Sequence, residues 1–520
     1  MNGALARQRG GAKRPGVVRT TSIPAPIGGL NARDSVAEMK PTDAITLDNF
    51  VPGTTDCTLR FGWRLWATGI TNPVETLLPY RNGTENKLFA VAGGDIFDAT
   101  LQGDVGAAKV TGLTNSRFQY VNFGNAAGQF LLAVNGANPM QRFDGTTWTD
   151  ATATPSVTGF DTSKAISINS FGQRIWLVEQ NTFHVWYLDL LAIGGTAHLL
   201  DLSSLFRLGG SLAGMVTWTV AASQQTAQYA VFVSTEGEVI IYQGFDPTNV
   251  ATWALVGQAR IGRPIGGRFW TRVGTDVVLI SADGFVPLSK VLQLDRATNV
   301  DAVSNKIDSA ARTAIAAYGM NFGWQVALYP AGNKLFVNVP ETEDAASTQF
   351  VMNTITGAWC RYLGINANVW ETVQDQLFFG GDGFVGQAEY GHDDNGNSIS
   401  GVMRPAYSYF GDKVRRKFFR QVRPTIIGAG TASVLVDLTV DFDTSDPINA
   451  PPLSAQPDLP TWDVSPWDTT AWEPGRMSAS QWQWVGGMGF AASARVQVNC
   501  LGFAPSVEEI AYTWETGGLY

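Results

Sequence analysis

The sequence predicts a mainly β chain built on a β-propeller of about seven blades, with one inserted helix and a small C-terminal β-domain. Three observations lead there: hairpin signals recurring at blade spacing, a composition poor in charge but rich in Gly and Trp, and a single stretch of helical period. Of 520 residues only 16% are charged, where about 25% is usual, while 56 are Gly, 17 Trp and 28 Phe. A hydrophobic fraction of 45% is ample for a buried core.

Short apolar runs at 88–91, 130–134, 175–178, 231–233, 277–280, 335–339 and 377–379 are each followed by a turn or loop. Most of the turns carry Gly behind Asp, Asn, Glu or Gly, as in Asn135-Gly136, Asp283-Gly284 and Asp382-Gly383, and glycine supplies the positive φ a tight hairpin needs. The steps between runs are 42 to 58 residues, and four-stranded blades recur at about 40–50. The expectation is a propeller of six to eight blades over 75–395, with a sandwich or stacked sheets as the rival. Within 301–317, Val303, Ile307, Ala311 and Ile315 fall at i, i+4 spacing, with Ser304 as a candidate cap and Gly319 as a stop.

Ahead of the repeats, residues 1–35 are rich in Arg, Gly and Pro and read as an extended basic arm. Residues 36–395 are assigned to the propeller, with the strand-like stretch from Cys57 to Leu65 expected to complete a blade or to pair with the C-terminal domain. Residues 396–520 are assigned to that domain. Its strands are expected at 434–440 and 494–498, and its Pro-rich loop leads into Trp462, Trp467 and Trp472.

Net charge is −9 but unevenly spread. Residues 1–20 hold five cations and 413–423 hold six, both without an acid, which leaves −20 on the other 489 residues. Such a chain is not built to grip DNA by neutralising phosphates. No apolar run approaches the roughly 20 residues of a membrane span, and no apolar block follows the basic N-terminus as in a secretion signal. Cys57, Cys360 and Cys500 fit neither a metal site nor a disulfide framework and are expected to be reduced thiols in a cytoplasmic folding compartment.

Catalytic constellations are missing. His184, His198 and His392 have no partner at metal spacing, and no Gly-rich loop ends in Lys-Ser or Lys-Thr. Asp393-Asp394-Asn395-Gly396 lacks the flanking carboxylates of a calcium loop and reads as a solvated turn. No enzyme activity, cofactor or metal is expected. The cations Lys413, Arg415, Arg416, Lys417, Arg420 and Arg423 could meet phosphates or an acidic neighbouring protein. Phe418 and Phe419 among them, and the acidic C-terminal region, favour protein contact. Trp462, Trp467 and Trp472 would be its apolar anchors.

Several segments resemble the tail nozzle or stabilisation proteins of short-tailed bacteriophages (podoviruses). They are Ile27-Gly28-Gly29-Leu30-Asn31-Ala32-Arg33-Asp34, Asp43-Ala44-Ile45-Thr46-Leu47-Asp48-Asn49-Phe50, Arg60-Phe61-Gly62, Val303-Ser304-Asn305-Lys306-Ile307, Asn353-Thr354-Ile355-Thr356-Gly357-Ala358-Trp359 and the Trp467-Asp468 loop. The resemblance implies a structural virion protein assembled in the bacterial host cytoplasm and located in the tail. It would form a ring, usually a hexamer, beneath the tail adaptor, contacting fibres or spikes and conducting the genome without specific binding. An acidic or neutral wall suits such a conduit, since a basic lining would hold the backbone. The alternative is a receptor- or carbohydrate-binding tail propeller, an adhesin.

Overall fold

The computed structural model describes residues 18–222, 225–249, 251–291, 302–429, 432–445, 454–455 and 477–517. Each of the seven apolar runs is the second strand of an antiparallel meander, six of them in separate sheets and Lys334–Thr342 within a ten-stranded sheet, and the seven meanders form a propeller. Blade 1 begins Val74–Arg81 and Asn86–Ala92, blade 2 Gln119–Asn125 and Gly128–Val134, and blade 3 Ala165–Phe171 and Arg174–Glu179. Blade 4 begins Leu212–Ala222 and Gln225–Ser234, blade 5 Trp270–Val273 and Asp276–Ser281, blade 6 Gln325–Tyr329 and Lys334–Thr342, and blade 7 Val369–Val373 and Gln376–Gly380.

A ring of sheets needs closing, because an open stack leaves strand edges unpaired. Val369–Val373 of blade 7 lies against Val74–Arg81 of blade 1. Trp63–Thr68, from ahead of blade 1, pairs antiparallel with Val385–Ala388 as an outer strand of blade 7, Trp63 opposite Ala388 and Ala67 opposite Val385. The alternating residues of these short strands bury their apolar face between blades. Leu78, Phe89, Phe118 and Leu131 fill the space between blades 1 and 2, and Trp176, Phe232 and Trp253 that between blades 3 and 4. Each such side chain contributes about 1.5–3 kcal/mol of burial.

The second unit is a β-sandwich. One sheet joins Val18–Pro24, Phe50–Pro52, Cys57–Leu59, Lys417–Gly428, Gln483–Gly489 and Ser506–Thr516. The other joins Asp43–Asp48, Ile399–Pro405, Val434–Val440 and Ala492–Leu501. The second sheet runs on into blade 6 through the parallel pair Asp48 and Arg361. One apolar core therefore spans both units, from Leu47, Phe50 and Met403 to Phe285, Phe350 and Trp359.

Two details differ from the sequence expectation, in the arm and in the helix, and one expected alternative is decided. Of the arm expected over 1–35, residues 1–17 lie outside the described residues, and Val18–Pro24 is a strand paired along its whole length with Ser506–Thr516. Both outcomes expected of the stretch from Cys57 to Leu65 occur, since Cys57–Leu59 pairs with Ser506–Thr516 and Trp63–Thr68 completes blade 7. The helix runs over Asp308–Tyr318 behind one 3-10 turn at Asn305–Ile307, burying Ile307 and Ala311. Ser304 does not cap it; its hydroxyl accepts the Phe285 N–H of blade 5 at 3.0 Å. A second helix, Leu288–Val291, is a single turn.

Candidate functional site

The five separated segments 27–34, 43–50, 60–62, 303–307 and 353–359 meet at the junction of propeller and sandwich. Lys306 donates to the Gly28 carbonyl and to Asp43, both at 2.9 Å. The Asn31 amide donates to Asp43 at 2.8 Å and to Asp34 at 2.9 Å, and Arg33 reaches Asn305 at 2.7 Å. Arg361 clasps Asp48 in two bonds of 2.8 and 2.9 Å, a bidentate geometry that fixes orientation as well as charge. The Arg33 guanidinium, with the Asn31 amide, holds the Asp34 carboxyl at about 2.

Arg60 is enclosed as fully as Asn31 and Asp43, 1% exposed. Its Nε donates to Asn49, Nη1 to Asp394 and the Phe61 carbonyl, and Nη2 to Asp394 and the Leu363 carbonyl, so all five donors are used. Asn49, held at φ +58°, returns its amide to the Ser400 carbonyl and accepts the Leu363 N–H. Asp394, its side chain 14% exposed, thus anchors Arg60, while Asn395 and Gly396 beside it form the exposed turn expected. Gly29 and Gly62 are glycine because chain meets chain there. An added Cβ would lie 2.6 Å from the Trp359 nitrogen and 1.7 Å from the Asp393 carbonyl oxygen, respectively.

The basic segment divides. Strand Lys417–Gly428 alternates, with Phe418 and Arg420 outward and Phe419 and Val422 inward. Lys413, Arg415, Arg416 and Arg420 are exposed; Arg420 pairs with Glu515 at 2.8 Å and Arg416 lies over Phe490. Arg423 is half-buried over Trp482. Lys417 does not fit the expected interface: it is fully buried and donates to the carbonyls of Asp412, Arg415 and Phe490. Burial pushes its pKa down, since removal from water penalises the charged form. Trp462, Trp467 and Trp472 lie outside the described residues.

A different tryptophan emerges on this face. Strand Gln483–Gly489 pairs with Lys417–Gly428, setting Met488 opposite Phe418 and Trp484 opposite Gln421. Trp484 is 78% exposed, Met488 57% and Phe418 41%, a contiguous apolar patch beside Arg420. Exposed apolar patches rimmed by charge mark interaction sites. The alternation of Gln483 to Gly489 already places Trp484 and Met488 on one side.

On the propeller axis, six of the seven blades line a cavity of about 600 Å³. Its charged residues are Arg81, Arg268, Arg272 and Glu371. The Tyr120 hydroxyl donates to Glu371 at 2.5 Å and Arg81 reaches the same carboxylate at 3.2 Å. Burial raises the pKa of Glu371 and lowers that of Arg268 to about 10. Among the described residues no three His, Cys, Asp or Glu side chains are placed to hold a metal ion, and no helix is long and apolar enough to cross a membrane. Cys57, Cys360 and Cys500 are buried free thiols.

No family model matches the chain, and no curated protein does. Among solved structures it is similar to BBS1N in complex with ARL6DN, at 10% identity and TM-score 0.38, over 63% of this chain and 96% of that one. YCF48 bound to D1 peptide matches at 10% identity and TM-score 0.36, over 64% and 97%. An exo-β-1,3-galactanase from Phanerochaete chrysosporium matches at 9% identity and TM-score 0.24, over 76% and 95%. Likeness at this level carries no functional argument, and the architecture stands on the strand pairing itself.

Proposed function

We propose that this chain is a non-catalytic structural subunit of the tail of a short-tailed phage, assembled in the host cytoplasm into a ring of six copies through which the genome leaves. The observation that carries this reading is the convergence of the five resembling segments on one junction. The resemblance carried by segments scattered over 27–359 thereby acquires a single physical role, the rigid attachment of a sandwich to a propeller. A subunit that must keep its shape while DNA passes needs such a clamp, in which buried charges are paired and hydrogen-bonded throughout.

The exposed patch of Trp484, Met488 and Phe418, edged by Arg420 and joined by the exposed cations Arg415 and Arg416, supplies the subunit contact. Apolar anchors give affinity and the cations give register against an otherwise acidic chain, because charge complementarity acts chiefly on specificity and encounter rate. The tail adaptor above and fibres or spikes at the side are the remaining partners. Imaging of the purified protein and of tails containing it tests the reading: a six-fold ring on the tail axis supports it, whereas a three-fold or monomeric peripheral location supports an adhesin.

A further inference from the structure

A closed ring of identical copies joins two different surfaces of each copy, one towards either neighbour. The sandwich face of Phe418, Trp484 and Met488 is apolar and brings cations with it. Its counterpart has to lie elsewhere on the chain, offer apolar side chains of its own and carry acid. Matching connections in blades 3 and 4, each between the third and fourth strands, meet those terms. Leu190 and Phe245 are each 56% exposed there, and Leu191 is exposed beside them. Both connections pack on the turn that joins the first two strands of blade 3. The Leu191 N–H donates to the Gln173 carbonyl at 2.9 Å, and the Asn125 amide of blade 2 donates to the Leu191 carbonyl at 2.9 Å. The Phe245 ring stacks on Phe171 at 5.9 Å, and a Cβ added at Gly172 would lie 3.1 Å from the Phe245 carbonyl oxygen.

Arg174 holds the two connections side by side, reaching Asp189 of one and Asp246 of the other, each at 3.8 Å. These are loose contacts, and the two carboxylate side chains stay 67% and 46% exposed at the rim of the apolar residues. Leu191 stands at φ +58°, a left-handed setting that bulky residues rarely adopt. Glycine or asparagine would serve the backbone better there, and an exposed apolar side chain is what leucine adds. Blades 3 and 4 lie across the propeller from blades 6 and 7, to which the sandwich is fastened. The acidic surface and the basic one therefore sit on opposite sides of the protomer, as a head-to-tail contact requires. Given assembly into a ring, on which this depends, we infer that Leu190, Leu191 and Phe245, rimmed by Asp189 and Asp246, dock the Phe418–Trp484 face of a second copy of this chain.

The test is a charge swap on the full chain, with association followed by light scattering against concentration at low salt. D189K/D246K and, separately, R415E/R416E should each weaken association about tenfold or more, because like charges are then brought face to face. An equimolar mixture of the two variants should associate as the parent does, since every contact in an alternating ring again joins opposite charges. High salt should shrink all of these differences. L190A, which alters an exposed apolar side chain and no charge, should weaken association about fivefold or more and keep the parent's melting curve. It reports on the surface even where a lower melting curve shows D189K/D246K to be poorly folded. Association of L190A equal to the parent's overturns the inference, as does a mixture of folded variants that stays apart. If R415E/R416E weakens association while L190A and D189K/D246K behave as the parent, the ring stands and its second surface lies elsewhere. A parent that stays monomeric at every concentration overturns the ring and this contact together.

Discussion

The Arg60 guanidinium meets the Asp394 carboxylate in two hydrogen bonds of 2.8 and 2.7 Å across 334 residues of chain. One partner lies between the first sandwich strands and the blade-closing strand, and the other follows the last blade, so the pair shuts the ring and fastens it to the sandwich together. Substituting Arg60 by Met leaves Asp394 enclosed without its counter-ion. Loss of a partner from a buried pair costs about 3 kcal/mol or more, which urea unfolding would register as a lower midpoint at unchanged slope. A change under about 0.5 kcal/mol would show the clamp to be dispensable.

Acid should act on the same junction. Asp34 has its carboxyl at about 2 in the folded chain, against an ordinary 3.8. Its folded value is depressed, so its stabilisation is complete above about pH 4 and is lost as pH falls towards 2. Melting curves of D34N should match the parent's at the low end of that window and fall below them at neutral pH. Curves that run parallel across the window would remove Asp34 from the account.

Lys417 and its neighbours separate stability from assembly. K417M leaves three carbonyls without their donor and should lower stability by about 2 kcal/mol. The double reversal R415E/R416E, on exposed side chains, should leave the melting temperature unchanged and weaken assembly in a salt-dependent way. If the reversal instead abolishes DNA binding with assembly intact, the segment is a phosphate contact.

W484A removes an anchor that is 78% exposed in the folded protomer. The protomer should keep its melting profile while its association, followed by light scattering against concentration, weakens about tenfold or more, as for a hot-spot tryptophan. Unaltered association would move the subunit contact elsewhere on the surface.

The blades were legible because glycine behind Asp, Asn or Glu marks a hairpin locally, and each of the seven apolar runs became a second strand. The sandwich was less so. Trp63–Thr68 reaches Val385–Ala388, and Val18–Pro24 reaches Ser506–Thr516, through pairings that no local pattern encodes. Lys417 looks like its cationic neighbours in sequence, and only the closure of residues 412–416 and the Phe490 carbonyl over it makes it a buried residue. Trp484 was overshadowed by three evenly spaced tryptophans, although period-two alternation marked its face. Arg60 and Asp394 gave no sign of one another, since an ion pair has no signature in sequence distance.

The most direct measurement is an end-on electron-microscopic average of the purified chain at assembly concentration, alongside tails that contain it. The account predicts a closed six-fold ring on the tail axis, with the Phe418–Trp484 face at the boundaries between subunits. A monomer at every concentration, or a peripheral three-fold arrangement on the tail, would contradict it.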